Sequence, residues 1–402
     1  MTALEPVTRT PPREVLLLTG TVDYGAGGRA VVYWARGLRE HNVRMHVAYP
    51  GGGELSQILQ SESIPSVEVD LSWPRRLWPF PFLRSARKLA RYVRNNGVEL
   101  IHCNGAFDFI LGRSAAKSAK VPTLCHIRLP RDSQFYEWLL GRNPVPRRLI
   151  CVSESLAEQQ RLQVDSSGYD ARNVIPLYNP LDAEEFQPDG RREAFRSRHG
   201  LPVDAFCIGV VGTVKPWKQT HCLVDVIAEM RARGRDTCGV IVGPVSDQEY
   251  QRQVQKLTDD NEVQDHIYWT GPVQDVPEAY NALDLTASFS KGETFGYSAA
   301  ESLACQCPVV FFSIPAFLEV VRQGGMAVEM GDIGGFVTAC LQLMGDADLR
   351  DRLGRQGRDH VKNSFSIASS TGRLFEIYSS VLQESSGRSG ADRPGQKGSK
   401  SL

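Results

Sequence analysis

The strongest constraint on this chain is an alternation of short apolar runs with amphipathic stretches. Val15 to Thr19 is a brief apolar run, turn residues fill Gly20 to Gly28, and Arg29 to His41 then carries Val32, Trp34, Ala35 and Leu38 among its apolar positions. Val43 to Tyr49 is the next such run, closed by Pro50 and three glycines, and Leu100 to Cys103, Thr123 to Ile127 and Leu149 to Val152 follow. A second series opens at Phe206 to Val211. It continues through Gly239 to Val242, His266 to Trp269, Leu285 to Ser288 and Val309 to Phe312, with helical stretches such as His221 to Arg233 and Val276 to Leu283 between them. Short apolar strands alternating with helices imply a parallel sheet covered on both faces, as in an α/β protein. The expectation is two doubly wound Rossmann-like lobes.

Between the two series the character changes. Pro176 and Pro180 precede a charged stretch, Asp182 to Arg198, and then Gly200-Leu-Pro202, so residues 179–202 read as the crossing between halves. The division expected is a disordered N-terminus at 1–13, an N-terminal lobe at 14–190, a C-terminal lobe at 203–364, an amphipathic helix at 365–383 and a disordered Ser/Gly/Lys-rich tail at 384–402. Lys plus Arg and Asp plus Glu both number 46, and this balance argues against a general nucleic-acid binder. No apolar run approaches the roughly 18 residues needed to span a bilayer. Nine scattered cysteines, with no secretory leader in Met1 to Pro12, point to a reducing cytoplasm. Cys305-Gln-Cys307 lacks the two-residue spacer of a zinc or redox pair.

Ligands of open α/β sheets bind outside the carboxyl ends of the strands. The richest such loop here is Ser288-Phe-Ser-Lys-Gly-Glu-Thr-Phe-Gly-Tyr-Ser-Ala-Ala-Glu-Ser-Leu-Ala304. Glu293 and Glu301 lie eight residues apart, and a carboxylate accepts the paired hydroxyls of a sugar or ribose. A helix start beyond Gly296 presents free N–H groups to an anion. The plainer reading is that Ser298-x-x-Glu301 is a capping box.

Glu293-Thr-Phe-Gly-x4-Glu301 resembles the signature of the retaining nucleotide-sugar glycosyltransferases of family 4, which have the GT-B fold. Gly212-Thr-Val-Lys215-Pro-Trp-Lys218 is similar to that family's first donor-lobe loop, Gly271 to its loop beside the base, and Asn281-Ala-Leu-Asp284 and Pro308-Val-Val310 match further pieces. In the first half Gly27-Gly28, His102, His126 and Ser153-Glu-Ser155 fall where the family has a glycine loop, strand-end histidines and a Val-Ser-Glu stretch. The resemblance runs from about Val15 to Tyr378. It implies two lobes facing an interdomain cleft, a C-terminal helix crossing back to the first lobe, and transfer that retains anomeric configuration without a metal or other cofactor. It assigns Glu301 to the ribose, Glu293 and the Phe295-Gly296 backbone to the donor sugar, Lys218 to the diphosphate and His126 to the transferring sugar. A fixed cation suits a diphosphate leaving group, because it stabilises charge that grows as the glycosidic bond breaks.

Some positions depart from the family. Thr213 stands where the family has arginine and cannot supply a bidentate cation, so Lys215 is the candidate substitute. Cys307 replaces a common glycine, a packing change, and Asn179-Pro-Leu-Asp182 replaces Asn-Gly-Val-Asp, a linker change. His102 reads equally as a ligand contact or a satisfied core histidine. Tyr24-Gly-Ala-Gly-Gly28 lacks the full dinucleotide fingerprint, and Gly27 and Gly28 are expected on the acceptor side with Arg128.

Leu71 to Val98 carries Arg75, Arg76, Arg84, Arg87, Lys88, Arg91 and Arg94, interleaved with Trp73, Trp78, Phe80, Phe82 and Tyr92, and has no acidic residue. It reads as a solvated basic helix or as a peripheral membrane contact. Prolines at 74, 79 and 81 restrict the helix to Leu83 to Asn95.

The leading function is a hexosyltransferase moving sugar from a nucleoside diphosphate donor, UDP ahead of GDP, to a glycan, lipid-linked or small-molecule acceptor, as in polysaccharide biosynthesis. It would act in the cytoplasm, with contact at the inner membrane face through 71–98. Two alternatives stand beside it: a nucleotide-sugar epimerase or hydrolase of similar architecture, and a catalytically silent binding subunit, which Thr213 favours.

Overall fold

The computed structural model describes residues 13–71 and 80–391, in two compact units. One comprises the chain up to Leu177 together with Ser370 onward, and the other is Tyr178–Ser369. The first unit runs β1 (Glu14–Leu18), α1 (Ala26–Leu38), β2 (Arg44–Tyr49), α2 (Gly53–Ser61), β3 (Ser66–Glu68), α3 (Phe80–Asn95), β4 (Leu100–Cys103), α4 (Asp108–Ala119), β5 (Thr123–Ile127), α5 (Ser133–Leu140), β6 (Arg148–Cys151), α6 (Glu154–Val164) and β7 (Val174–Pro176). Its seven strands are parallel in the order β3-β2-β1-β4-β5-β6-β7.

The second unit runs α7 (Arg192–Arg198), β8 (Phe206–Val211), α8 (His221–Ala232), β9 (Thr237–Val242), α9 (Gln248–Asp260), β10 (Ile267–Gly271), α10 (Val276–Ala282), β11 (Leu285–Ser288), α11 (Tyr297–Ala304), β12 (Val309–Phe312), α12 (Pro315–Val321), β13 (Gly325–Val328), α13 (Ile333–Gly345) and α14 (Ala347–Ser364). The final helix, α15 (Ile367–Ala391), carries the chain onward. Its six strands are parallel in the order β10-β9-β8-β11-β12-β13. The central strands β1, β4, β8 and β11 are almost wholly buried, which is why they needed apolar residues on both faces.

Strand order reverses between β1 and β4 in the first sheet and between β8 and β11 in the second. Connections leave such a point in opposite directions, so the loops diverge and open a crevice at the carboxyl ends of the strands. The expected helix from the C-terminal region is present: Leu374, Ile377, Tyr378 and Val381 of α15 pack in the first unit's core with Val15, Leu17, Trp34 and Leu38.

Four local expectations are corrected. Residues 178–202 do not close the first lobe at 190 but pack into the second unit. Their anchor is Arg196, fully buried, which donates to the carbonyls of Ala282, Pro202, Val203 and Ala205 and pairs with Asp284 at 2.9 Å. The stretch expected to be a disordered tail remains helical to Ala391, and Glu384 pairs there with Arg148. Helix α3 starts at Phe80 rather than Leu83, because Pro81 sits in the first turn, where its missing N–H costs no helical bond. Helix α1 starts at Ala26, so Gly27 and Gly28 belong to its first turn and not to a loop. A Cβ on Gly28 would stand 2.2 Å from the Asp23 carbonyl oxygen, so glycine there serves close backbone packing. The expectations for residues 1–12, for Trp73, Arg75, Arg76 and Trp78, and for 392–402 fall outside the described residues.

Candidate functional site

In the second unit the loops after β8 and β11 meet at the reversal point. The first is Gly212 to Gln219, ending in a short 3-10 turn at Pro216–Lys218. The second is Phe289 to Gly296. The Lys291 N–H donates to the Trp217 carbonyl at 3.0 Å and ties them together. Across this junction Lys218 Nζ donates to Glu293 Oε1, both side chains being mostly buried, and Ser290 Oγ donates to the same oxygen at 3.4 Å. Lys215 and Lys218 place their ammonium groups 5.2 and 4.6 Å from the centroid of the Trp217 ring. The attraction of the ring face holds both cations at this loop. Thr213 follows Gly212 in the same loop and is half-buried.

Gly296 begins α11 in the left-handed region at φ +95°, and a Cβ there would meet Phe317 Cε1 at 2.6 Å. No side chain caps this helix, and Ser298 lies inside it. The capping-box reading is therefore excluded: a cap must precede the helix with its side chain folded back on the first turn. Phe295 is buried among Tyr178, Tyr297 and Phe365, which leaves its backbone as the part that can meet a ligand. Glu301, on α11, is buried, and Tyr280 of α10 donates its hydroxyl to Oε2 at 3.0 Å. Gly271 ends β10 at φ +68°, with open space where a Cβ would be. The structure thus brings Lys215, Lys218, Glu293, Phe295 and Gly296 to neighbouring loops and sets Glu301 one helical turn further on.

In the first unit His126 lies near the carboxyl end of β5, fully buried. Its Nδ1 is 2.8 Å from Nε2 of His102, and its ring stacks on Trp34 at 5.3 Å. His102 is a core histidine with both nitrogens engaged, the second by the Tyr378 hydroxyl at 2.8 Å. Burial, with the nearby Arg128 cation, holds His102 neutral down to about 3 and pushes His126 well below the usual imidazole range. Arg128 is itself anchored on Asn104, through its carbonyl at 2.8 Å and its side-chain oxygen, and Asn104 donates to Thr19. Gly27 lies 3.3 Å, measured from where its Cβ would be, from Thr21 Oγ1.

Sequence reasoning missed Asp108, at the start of α4 on the same carboxyl edge. Burial raises its carboxyl to about 7, against the opposing effects of a Gly20 N–H bond and of Arg128. Its signal was Asn104-Gly-Ala-Phe-Asp108, a polar turn directly after a buried strand. It also missed Tyr378, whose partners are 276 residues away in sequence. All nine cysteines are free and buried, among the described residues no three His, Cys, Asp or Glu side chains are grouped to hold a metal ion, and no helix is long and apolar enough to cross a membrane.

Comparison with known proteins adds to this geometry. Residues 27–185 match the family model described as Glycosyltransferase Family 4, and residues 191–360 match Glycosyl transferases group 1. The chain is 27% identical to the D-inositol 3-phosphate glycosyltransferase of Stackebrandtia nassauensis over 67% of this chain and 62% of that protein. It is 30% identical to the Geodermatophilus obscurus protein of the same name, over 64% and 60%. It therefore spans about three fifths of the length of these relatives. It matches the capsular polysaccharide biosynthesis glycosyltransferase CapM of Staphylococcus aureus at 23% identity over 87% of this chain and 93% of that one. In structure it is similar to Anabaena HepE, solved with UDP and glucose, at a TM-score of 0.76 and 18% identity over 92% and 100% of the two chains. A glycosyltransferase from Rickettsia africae matches with a TM-score of 0.79 at 20% identity over 92% and 99%. By its two parallel sheets the chain has the GT-B fold, and two glycosyltransferase family models match its two halves in turn.

Proposed function

We propose that this chain moves a sugar from a nucleoside diphosphate donor to an acceptor hydroxyl with retention of anomeric configuration. The acceptor oxygen replaces the diphosphate at the anomeric carbon, and the products are the glycosylated acceptor, the nucleoside diphosphate and a proton. The observation that carries the reading is the Lys218–Glu293 pair across the reversal point of the second sheet, beside a helix N-terminus that no side chain caps. Lys218, with Lys215 standing in for the arginine absent at Thr213, neutralises the diphosphate, and the N–H groups following Phe295-Gly296 add fixed partial charge. These positive groups do the work without a metal. Glu293 accepts sugar hydroxyls, Glu301 accepts ribose hydroxyls, and the backbone at Gly271 lies beside the base. His126 donates to a hydroxyl of the transferring sugar, and Arg128 and the turn packed on Gly27 and Gly28 serve the acceptor side.

A UDP donor is favoured over GDP because HepE was solved with UDP. A saccharide, lipid-linked or small-molecule acceptor agrees with relatives named for capsular polysaccharide synthesis and for D-inositol 3-phosphate. We place the chain in the cytoplasm, touching an anionic inner membrane face through α3. That helix exposes Arg84, Arg87, Lys88, Arg91 and Arg94, with Phe80 63% and Leu83 39% exposed near its start. Co-sedimentation with anionic vesicles that is strong at low salt and lost at high salt supports this contact; no binding at low salt leaves a solvated face.

The test is a panel of UDP- and GDP-sugars scored by thermal stabilisation and by product formed with and without acceptor. A ligand at about a hundred times its Kd stabilises the native state by about 2.7 kcal/mol. Transfer only with acceptor is expected, with retention read from the anomeric proton. Conversion without acceptor indicates an epimerase or hydrolase, and binding without turnover indicates a silent subunit. Glu293→Ala and Lys218→Ala should each remove most activity in a folded protein, and a fully active Lys218→Ala enzyme would falsify the phosphate assignment.

A further inference from the structure

The first unit contains a buried chain of polar groups that ends on an atom with no partner. Tyr378 Oη on α15 lies 2.8 Å from His102 Nδ1, His102 Nε2 lies 2.8 Å from His126 Nδ1, and His126 Nε2 has no hydrogen-bond partner. All three side chains are fully buried. Trp34 lies against both imidazoles, with centroids 5.8 and 5.3 Å away, and is itself fixed by a 3.0 Å bond from its Nε1 to Ser370 Oγ on α15. The rings therefore have little freedom to turn.

Two neutral imidazoles and one phenol share three protons, and the chain can run in only two directions. In one, Tyr378 donates to His102 Nδ1, His102 Nε2–H donates to His126 Nδ1, and His126 presents Nε2–H. In the other every bond is reversed, His126 presents a bare lone pair, and the phenol proton points at nothing. Both directions make two bonds. The second leaves a buried hydroxyl and a buried imidazole lone pair unmet, whereas the first leaves only one N–H. The phenol is also a better donor than acceptor, and the imidazole nitrogen the better acceptor, so the first direction is favoured at its first link as well.

We infer that Tyr378 is a positioning residue: acting through His102, it holds His126 as a neutral Nε2–H donor for an oxygen of the bound substrate. Under the reading of His126 proposed above, that oxygen is a hydroxyl of the transferring sugar. The tautomer is thus set from the C-terminal helix, some 250 residues away in sequence from the strand that carries His126. A hydroxyl both donates and accepts, but with His126 locked as a donor the sugar hydroxyl must accept here and donate elsewhere. That requirement discriminates between orientations of one sugar.

The experiment is long-range 1H–15N correlation on the uniformly 15N-labelled full chain, with the two imidazoles assigned by His102→Gln and His126→Gln. Both rings are expected as the Nε2–H tautomer, with no change between pH 5 and 8. His102, Tyr378 and the Arg128 cation are the titratable and charged groups around His126, and Arg128 disfavours protonation. Tyr378→Phe keeps the ring and removes the donor. It should turn one or both histidines into tautomer mixtures and lower kcat by about tenfold, the worth of one hydrogen bond. Ser370→Ala, which loosens the same packing without touching the chain of bonds, should leave the tautomers as in the wild type. An Nδ1–H tautomer at either histidine in the wild type, or unchanged tautomers in Tyr378→Phe, overturns the inference. The expected tautomers combined with full transfer by His126→Ala would instead uphold the proton arrangement and remove the sugar contact.

Discussion

Replacing Asp108 by asparagine should stabilise the protein at pH 8 and do little at pH 4. Burial at the start of α4 carries the Asp108 carboxyl from 3.8 to about 7. Between those values the folded state keeps a proton that the unfolded chain has released. The native state therefore binds more protons, and stability falls as pH rises from about 4 to about 7, then stays level. At about 1.36 kcal/mol per pH unit the full cost of ionising the group in the fold is about 4 kcal/mol. The side chain is partly exposed, and screening by solvent brings the expected value to about 2 kcal/mol. Asparagine keeps the oxygen that accepts the Gly20 N–H and carries no charge to desolvate. Urea unfolding of the wild type and Asp108→Asn at pH 4 and pH 8 measures the effect. The variant should gain about 2 kcal/mol relative to wild type at pH 8, with the two curves converging at pH 4. A difference of the same size at both pH values, or a variant less stable at pH 8, would refute the reasoning.

Gly296→Ala should abolish transfer and cost on the order of 2 kcal/mol, because the new Cβ meets Phe317 at 2.6 Å in a left-handed backbone; circular dichroism melting and an activity assay read both effects. Asp284→Ala strands the wholly buried guanidinium of Arg196 and should cost about 3 kcal/mol in denaturant titration, whereas replacing the exposed Asp265 should not exceed 0.5 kcal/mol. An added chelator should leave transfer largely intact, and loss of activity restored by a divalent cation would show that the lysines do not carry the diphosphate unaided.

Much of the molecule was legible from residue order alone. Short, mostly apolar runs such as Leu100 to Cys103 and Thr123 to Ile127 are the observed strands residue for residue, because a strand covered on both faces admits few polar residues, and those only with buried partners such as His102 and His126. The spacing of Glu293, Gly296 and Glu301 pointed to one loop and one helix start, and those are local features. The limits of legibility came where a distant contact overrode local chemistry. Nothing near Arg196 announced that its segment would be drawn into the second unit by Asp284, nor does Pro81 show on its face whether it blocks a helix or opens one.

From its sequence the chain determined two parallel sheets, their order of appearance, and the residue types gathered after each strand. Only the tertiary structure decided that Lys218 pairs with Glu293, that Asp108 is buried enough to hold its proton near neutrality, and that Tyr378 reaches His102. The reason is range. Strand and helix formation depend on neighbours within a few residues, whereas an ion pair, a desolvated carboxyl and a chain of buried hydrogen bonds depend on which distant surfaces the packed core brings together.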